Sequence, residues 1–282
     1  MLLRWFKQLA PLRDALHVML QPQRITLSRV KRGGKLVAHE TIAVEQDARD
    51  PALPLWQPAL ETLRPWLQQR PWQGCKPTVV LSSHFAQYAL IPWNAGLANV
   101  AEREAYARHC FQQVYGEPAR DWDLRISPAG YGRTAIASGV APELLQALHA
   151  AFADSGLPLA RIHPYLMVAV DDLRRRRLPD SLCLAVLESG KLMLALIEDG
   201  DWRSHRSFAA EQDMAAQLQA LIQRESIVAG LDTAHWPLWL YGPEAGRHAV
   251  KLAARQVECV LAAGPGFGYE LDEGTIRSRA EL

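Results

Sequence analysis

Acidic residues are almost missing from the apolar, strand-like runs of this 282-residue chain. A nuclease of the ribonuclease H type needs several carboxylates converging on two metal ions, so that chemistry is excluded. No Gly-x-Ser-x-Gly elbow occurs, which removes the usual hydrolase nucleophile. Cysteine is scarce: Cys75, Cys110, Cys183 and Cys259 are scattered and form no C-x-x-C pair, which argues against structural zinc and for buried thiols in a reducing compartment. Excess charge is also lacking. A net charge of +1 gives no electrostatic basis for binding nucleic acid. No window of about 18 apolar residues is present, so no transmembrane helix is expected.

What the chain does contain is a repeat. Leu16–Leu20, Ile25–Val30 and Lys35–Val44 read as three apolar strands joined by short turns, followed by a helix-length stretch Leu53–Gln69 and a short strand Thr78–Ser82. The same order returns as Leu182–Leu187, Lys191–Ile197 and Trp202–Phe208, then Glu211–Val228 and Pro237–Tyr241. Two β-β-β-α-β units predict an α/β, duplicated actin-like (ribonuclease H-like) fold of two lobes. With 49% apolar residues the chain can bury the core such a fold needs.

The stretch between the copies breaks the pattern. It reads as strand Phe85–Ile91, helix Ala101–Tyr115, strands Trp122–Ser127 and Thr134–Gly139, helix Ala141–Ser155 and strand Leu159–His163, an inserted β-α-β-β-α-β subdomain. Tyr165–Arg177 continues as helix and ends in four arginines, a run that suits either a solvated helix C-terminus or an anion-binding patch. The expected organisation is therefore an amphipathic segment at 1–14, a first lobe from 15–82 and 164–178, the insertion at 83–163 and a second lobe at 181–282. Within the first segment, Leu2, Leu3, Trp5 and Phe6 suit either terminal packing or a membrane surface.

In an actin-like nucleotide site, the turns of both meanders supply backbone donors and carboxylates for phosphate and Mg²⁺. Here the first turn is Leu20-Gln21-Pro22-Gln23-Arg24, which has no carboxylate and loses one donor at Pro22. The second, Glu188-Ser189-Gly190-Lys191, keeps one carboxylate, and Gly242 stands where backbone would approach the nucleoside. Gln21, Pro22, Glu188, Ser189, Gly190 and Gly242 thus outline a degenerate nucleotide site; ATP with Mg²⁺ is admitted but not expected. Gly264-Pro265-Gly266-Phe267-Gly268 lacks the Lys-Ser/Thr of a phosphate loop. Ser83 and His84 are adjacent along an extended segment and read as strand-end polar residues. The nine tryptophans serve core packing or docking, Trp93 among them.

The order of elements resembles the PilM family of type IV pilus assembly proteins, together with the cytoplasmic domains of GspL in type II secretion and MshI in mannose-sensitive pili. Val79–Trp93 is similar to the family's strand pair that ends in Leu-Pro before the inserted helix, and Ala151–Ile162 to its helix, Gly-Leu, strand segment. The chain departs from the family's Gly-Ile-Asp opening with Val18-Met19-Leu20-Gln21-Pro22. The resemblance implies a cytoplasmic scaffold, peripheral to the inner membrane and compatible with homo-oligomers, that binds the tail of a PilN-like bitopic protein and catalyses nothing. A partner surface is expected at Phe85, Tyr88, Trp93 and Tyr106. The rival expectation is an active ATPase or sugar kinase using Glu188.

Overall fold

The computed structural model describes residues 13–45, 53–127, 129–176, 178–242 and 257–261. In chain order these form β1 (Ala15–Leu20), β2 (Arg24–Val30), β3 (Leu36–Ala43), α1 (Gln57–Leu67), β4 (Lys76–Leu81), β5 (Ala86–Ile91) and α2 (Val100–Tyr115). There follow β6 (Asp123–Ile126), β7 (Ala135–Val140), α3 (Pro142–Asp154), β8 (Arg161–Pro164) and α4 (Tyr165–Arg175). The last elements are β9 (Leu182–Glu188), β10 (Lys191–Glu198), β11 (Asp201–Ala209), α5 (Met214–Ala229), β12 (Leu238–Gly242) and β13 (Val257–Leu261). No helix among the described residues is long and apolar enough to cross a membrane.

Two five-stranded sheets carry the duplication, and their strand orders are the same: β3-β2-β1-β4-β8 and β11-β10-β9-β12-β13. In each, two antiparallel hairpins are followed by a crossover that lays a strand parallel to the first, β4 on β1 and β12 on β9. The repeat therefore runs one strand further than the sequence suggested, with β8 and β13 in equivalent places. This corrects the expected insertion. β8 does not join the inserted sheet but pairs beside β4, leaving a three-stranded antiparallel sheet β5-β7-β6 with α2. Strand pairing is a long-range choice that local order cannot specify, and the Ala160 N–H bonded to the Pro77 carbonyl at 3.1 Å brings the chain back alongside β4.

The described residues divide into two compact units, one of 13–82 with 143–163 and one of 83–142 with 164–261. In the first, α3 turns Leu144, Leu148, Ala151 and Phe152 inward at helical spacing. Fully burying a leucine or phenylalanine side chain contributes about 1.5–3 kcal/mol. α1 is shorter than predicted. Pro58 is accepted in its first turn, Pro65 lies near its end, and a single 3-10 turn at Arg70–Trp72 completes the segment and buries Trp72.

In the second unit, β9 is buried along its whole length, and Leu187, Leu192, Leu194 and Leu240 pack with Met214, Leu218 and Ile222 of α5. Asp213 caps α5 by accepting from the Ala216 N–H at 3.1 Å. α4, expected with the first lobe, belongs here: the Tyr165 and Tyr241 rings meet at a tilt, with centroids 6.1 Å apart. Its C-terminal arginines are ion-paired locally, Arg174 with Asp171 and both Arg175 and Arg176 with Asp172. That favours the cap over the patch at these three positions; Arg177 lies outside the described residues. The 1–12 segment with Leu2, Leu3, Trp5 and Phe6, and the Gly264–Gly268 stretch, also lie outside them.

Candidate functional site

The β1–β2 turn closes on itself. Gln21 N–H donates to the Arg24 carbonyl at 3.1 Å, the Arg24 guanidinium donates to Gln21 Oε1 at 3.3 Å, and Gln21 is buried. The Gln23 carbonyl accepts from Val44 N–H. No carboxylate stands in the turn, and Pro22 offers no donor.

The β9–β10 turn is also engaged, within its own unit. Glu188 and Lys191 face each other across the hairpin. Glu188 Oε1 accepts the Ser83 N–H at 2.9 Å, while the Lys191 ammonium donates to the Ser83 carbonyl. His84 Nε2 lies 3.0 Å from the Ser189 carbonyl. Glu188 is 5% exposed, and among the described residues its Oε2 has no hydrogen-bond partner. Burial holds the Lys191 amine below its ordinary range, against the opposing pull of the Glu188 carboxylate. Lys191 and the Ser83 backbone were not foreseen as a unit. The signal available was the opposite charges at 188 and 191 flanking Ser189-Gly190.

Gly242 is required by packing. A Cβ there would lie 2.6 Å from the Leu187 carbonyl oxygen, so β12 approaches β9 only without a side chain. The packing of the neighbouring strand is thus reason enough for a glycine at this position.

The expected partner residues separate. Tyr88 is 2% exposed: its hydroxyl accepts from the Leu166 N–H, and its main chain exchanges two bonds with the Tyr115 hydroxyl, donating at 3.2 Å and accepting at 2.7 Å. Burial pushes its own hydroxyl pKa upward. Phe85 is buried as well, and Tyr106 packs on the Ala107–Phe111 cluster. Neither Phe85 nor Tyr88 presents a surface: Phe85 is buried just before β5, and Tyr88 is buried within it. Trp93, beyond the strand end, is 44% exposed and meets the ring of Tyr131 at 4.7 Å; Tyr131 itself is 89% exposed.

Trp93 lines a cleft of about 920 Å³ between α2 and the three-stranded sheet, with Leu97, Val100, Glu104 and Ile126 also among its walls. Its origin lies in α2. Towards the C-terminus Phe111 and Tyr115 close against Trp122, over a Gly139 whose missing Cβ would touch Phe111 at 2.8 Å. One turn before Ala107 the same helix offers Arg103 and Glu104, which do not fill an apolar space. Among the described residues no cluster of His, Cys, Asp and Glu could hold a metal ion.

Neither a protein-family model nor a curated protein sequence matches the chain. Solved structures do. The chain is similar to the protein of a PilM-PilN type IV pilus biogenesis complex, at 12% identity and TM-score 0.65 over 94% of this chain and 93% of that one. It is similar to the cytoplasmic domain of EpsL, an inner membrane component of the type II secretion system of Vibrio cholerae, at 14% identity and TM-score 0.53 over 92% and 90%. A Bacteroides thetaiotaomicron protein with an actin-like ATPase fold and unknown function matches at 12% identity and TM-score 0.56 over 88% and 91%. The chain has the actin-like fold.

Proposed function

We propose that this protein is a scaffold of a type IV pilus-like or type II secretion-like assembly, held on the cytoplasmic face of the inner membrane and binding the cytoplasmic tail of a bitopic partner. The observation that carries the reading is that both meander turns are engaged in the protein's own hydrogen bonds, Gln21 with Arg24 and Glu188 with Ser83. A fold shared with a protein found in complex with PilN, and with a domain of an inner membrane component, supports the setting. The tail docks at the cleft beside Trp93, where exposed aromatic rings supply contact area with few rotors to immobilise; Tyr106 sits on the adjoining helix. Leu2, Leu3, Trp5 and Phe6 supply a weak contact with the membrane surface.

Two measurements test this. Calorimetry with Mg-ATP gives no heat at high micromolar nucleotide. Immobilised cytoplasmic tails of bitopic inner-membrane proteins from the same organism retain the protein. Nucleotide binding, or failure of every tail, overturns the reading.

One observation favours a second reading, an ATPase centred on Glu188: its Oε2 is buried and, among the described residues, has no hydrogen-bond partner, which leaves it available to orient a ligand. ATP turnover abolished by Glu188→Gln would establish it.

A further inference from the structure

The chain passes from one compact unit to the other between Ser82 and Ser83. Both serines are fully buried, and both lie between β4, which ends at Leu81, and β5, which begins at Ala86. The main-chain N–H and carbonyl of Ser83 thus have no strand ladder to join, and a buried backbone group without a partner is costly. Two side chains of opposite charge meet that need. Glu188, the last residue of β9, accepts from the N–H, and Lys191, the first of β10, donates to the carbonyl. Bonds to ionised groups are stronger than neutral ones, and a fixed hairpin positions both.

The other end of β10 is tied to the same stretch of chain by a different set of bonds. Arg133 donates to the Asp199 carbonyl at 2.7 Å, and Thr134 N–H donates to Asp201 Oδ1 at 2.8 Å. Asp199 adopts a positive φ of 50° in that turn. The three-stranded sheet is therefore strapped to both ends of one strand in the second repeat.

We infer that Glu188 and Lys191 are an anchor gripping Ser83 by both main-chain polar groups, and that Ser83 and His84 are a built-in occupant of the β9–β10 turn. The inference goes beyond the scaffold reading: it assigns to the turn a task that excludes phosphate. A phosphoryl group entering there meets the Glu188 carboxylate and must displace the Ser83 carbonyl from Lys191 and His84 from the Ser189 carbonyl.

Amide hydrogen exchange resolved at Ser83 is the test. In Glu188→Ala the Ser83 amide exchanges at least about 100-fold faster while the β12 amides are unchanged. In Glu188→Gln, whose amide oxygen still accepts, the acceleration stays near tenfold. Lys191→Met also accelerates it. Should Glu188→Ala fail to fold, the other two variants carry the comparison at the same amide. Ser83 exchange within threefold of wild type in the variants, or equal acceleration of all amides, overturns the anchor. Adding millimolar Mg-ATP to the wild-type protein leaves Ser83 exchange unchanged; a change overturns the built-in occupant. Calorimetric heat from Mg-ATP with Ser83 exchange unchanged overturns the nucleotide-free reading and supports the anchor.

Discussion

The Tyr88 hydroxyl accepts a hydrogen bond from the main-chain N–H of Leu166 at 3.1 Å, joining β5 to the first turn of α4 across 78 residues of sequence. α4 starts after Pro164, which gives no side-chain cap, so one of its orphan donors is satisfied by this phenol. Tyr88→Phe leaves a buried N–H unpaired and is expected to cost about 1–3 kcal/mol. Tyr88→Ala adds a cavity, for a loss of about 3–5 kcal/mol. Urea unfolding of the two variants checks the order and size of these losses. A neutral Tyr88→Phe would mean that water caps the helix instead.

Trp93 and Tyr131 behave oppositely. Both rings are exposed, so Trp93→Ala and Tyr131→Ala shift stability by no more than about 0.5 kcal/mol. Their effect falls on docking. A tail that binds the wild-type protein is expected to lose about tenfold or more in affinity with either variant, measured by fluorescence anisotropy of the labelled tail. Equal affinity in both would move the docking surface away from the cleft.

At Gly242 the expectation is steric. Alanine places its Cβ against the Leu187 carbonyl, and overpacking of this kind costs about 1–3 kcal/mol. Thermal unfolding of Gly242→Ala should show a lowered midpoint. An unchanged midpoint would show that β12 can slide away from β9 without loss.

Acid should weaken the fold through two imidazoles. Burial holds His17 down at about 4, and burial together with the nearby Lys191 and Arg206 charges holds His205 at about 4. The unfolded chain binds these protons near pH 6.5, and the folded chain only near pH 4. Between those limits the unfolded state carries more protons, so stability falls as pH falls, by up to about 1.4 kcal/mol per pH unit for each imidazole. His17→Leu should remove its share of the slope in urea titrations run from pH 7 to pH 4. Parallel slopes for variant and wild type would assign the acid sensitivity to other groups.

The meanders were legible because their information is local. Apolar runs broken by Gly33-Gly34 and Asp199-Gly200 mark hairpins whatever the rest of the chain does, and α3 carries its own stripe from Leu144 to Phe152. The sheet to which β8 belongs was not legible, since four residues from Arg161 to Pro164 carry no record of their partner. The candidate site divides along the same line. The missing carboxylate at Gln21-Pro22 is read from the sequence directly, but that Glu188 faces a backbone 105 positions away is not. Tyr88 and Trp93 look alike in sequence, both aromatic and close to one strand end. Only the burial of Tyr88 within β5 separates an internal tyrosine from a surface tryptophan. Tyr131 went unnoticed, although an aromatic ring between Gly130 and Gly132, where little local packing is available, was a usable sign.

The equal strand orders of the two five-stranded sheets bear on how such a chain could be rebuilt. Because β4 and α3 belong to one repeat, residues 83–141 leave and rejoin it at a single connection, as a passenger domain does in a host. Yet that passenger is fastened to the hairpins of the other repeat through Ser83, Arg133 and Thr134. Excising it would strand Glu188 and Lys191 without the backbone they hold. The two copies, however modular their ancestry, can no longer be traded as independent parts.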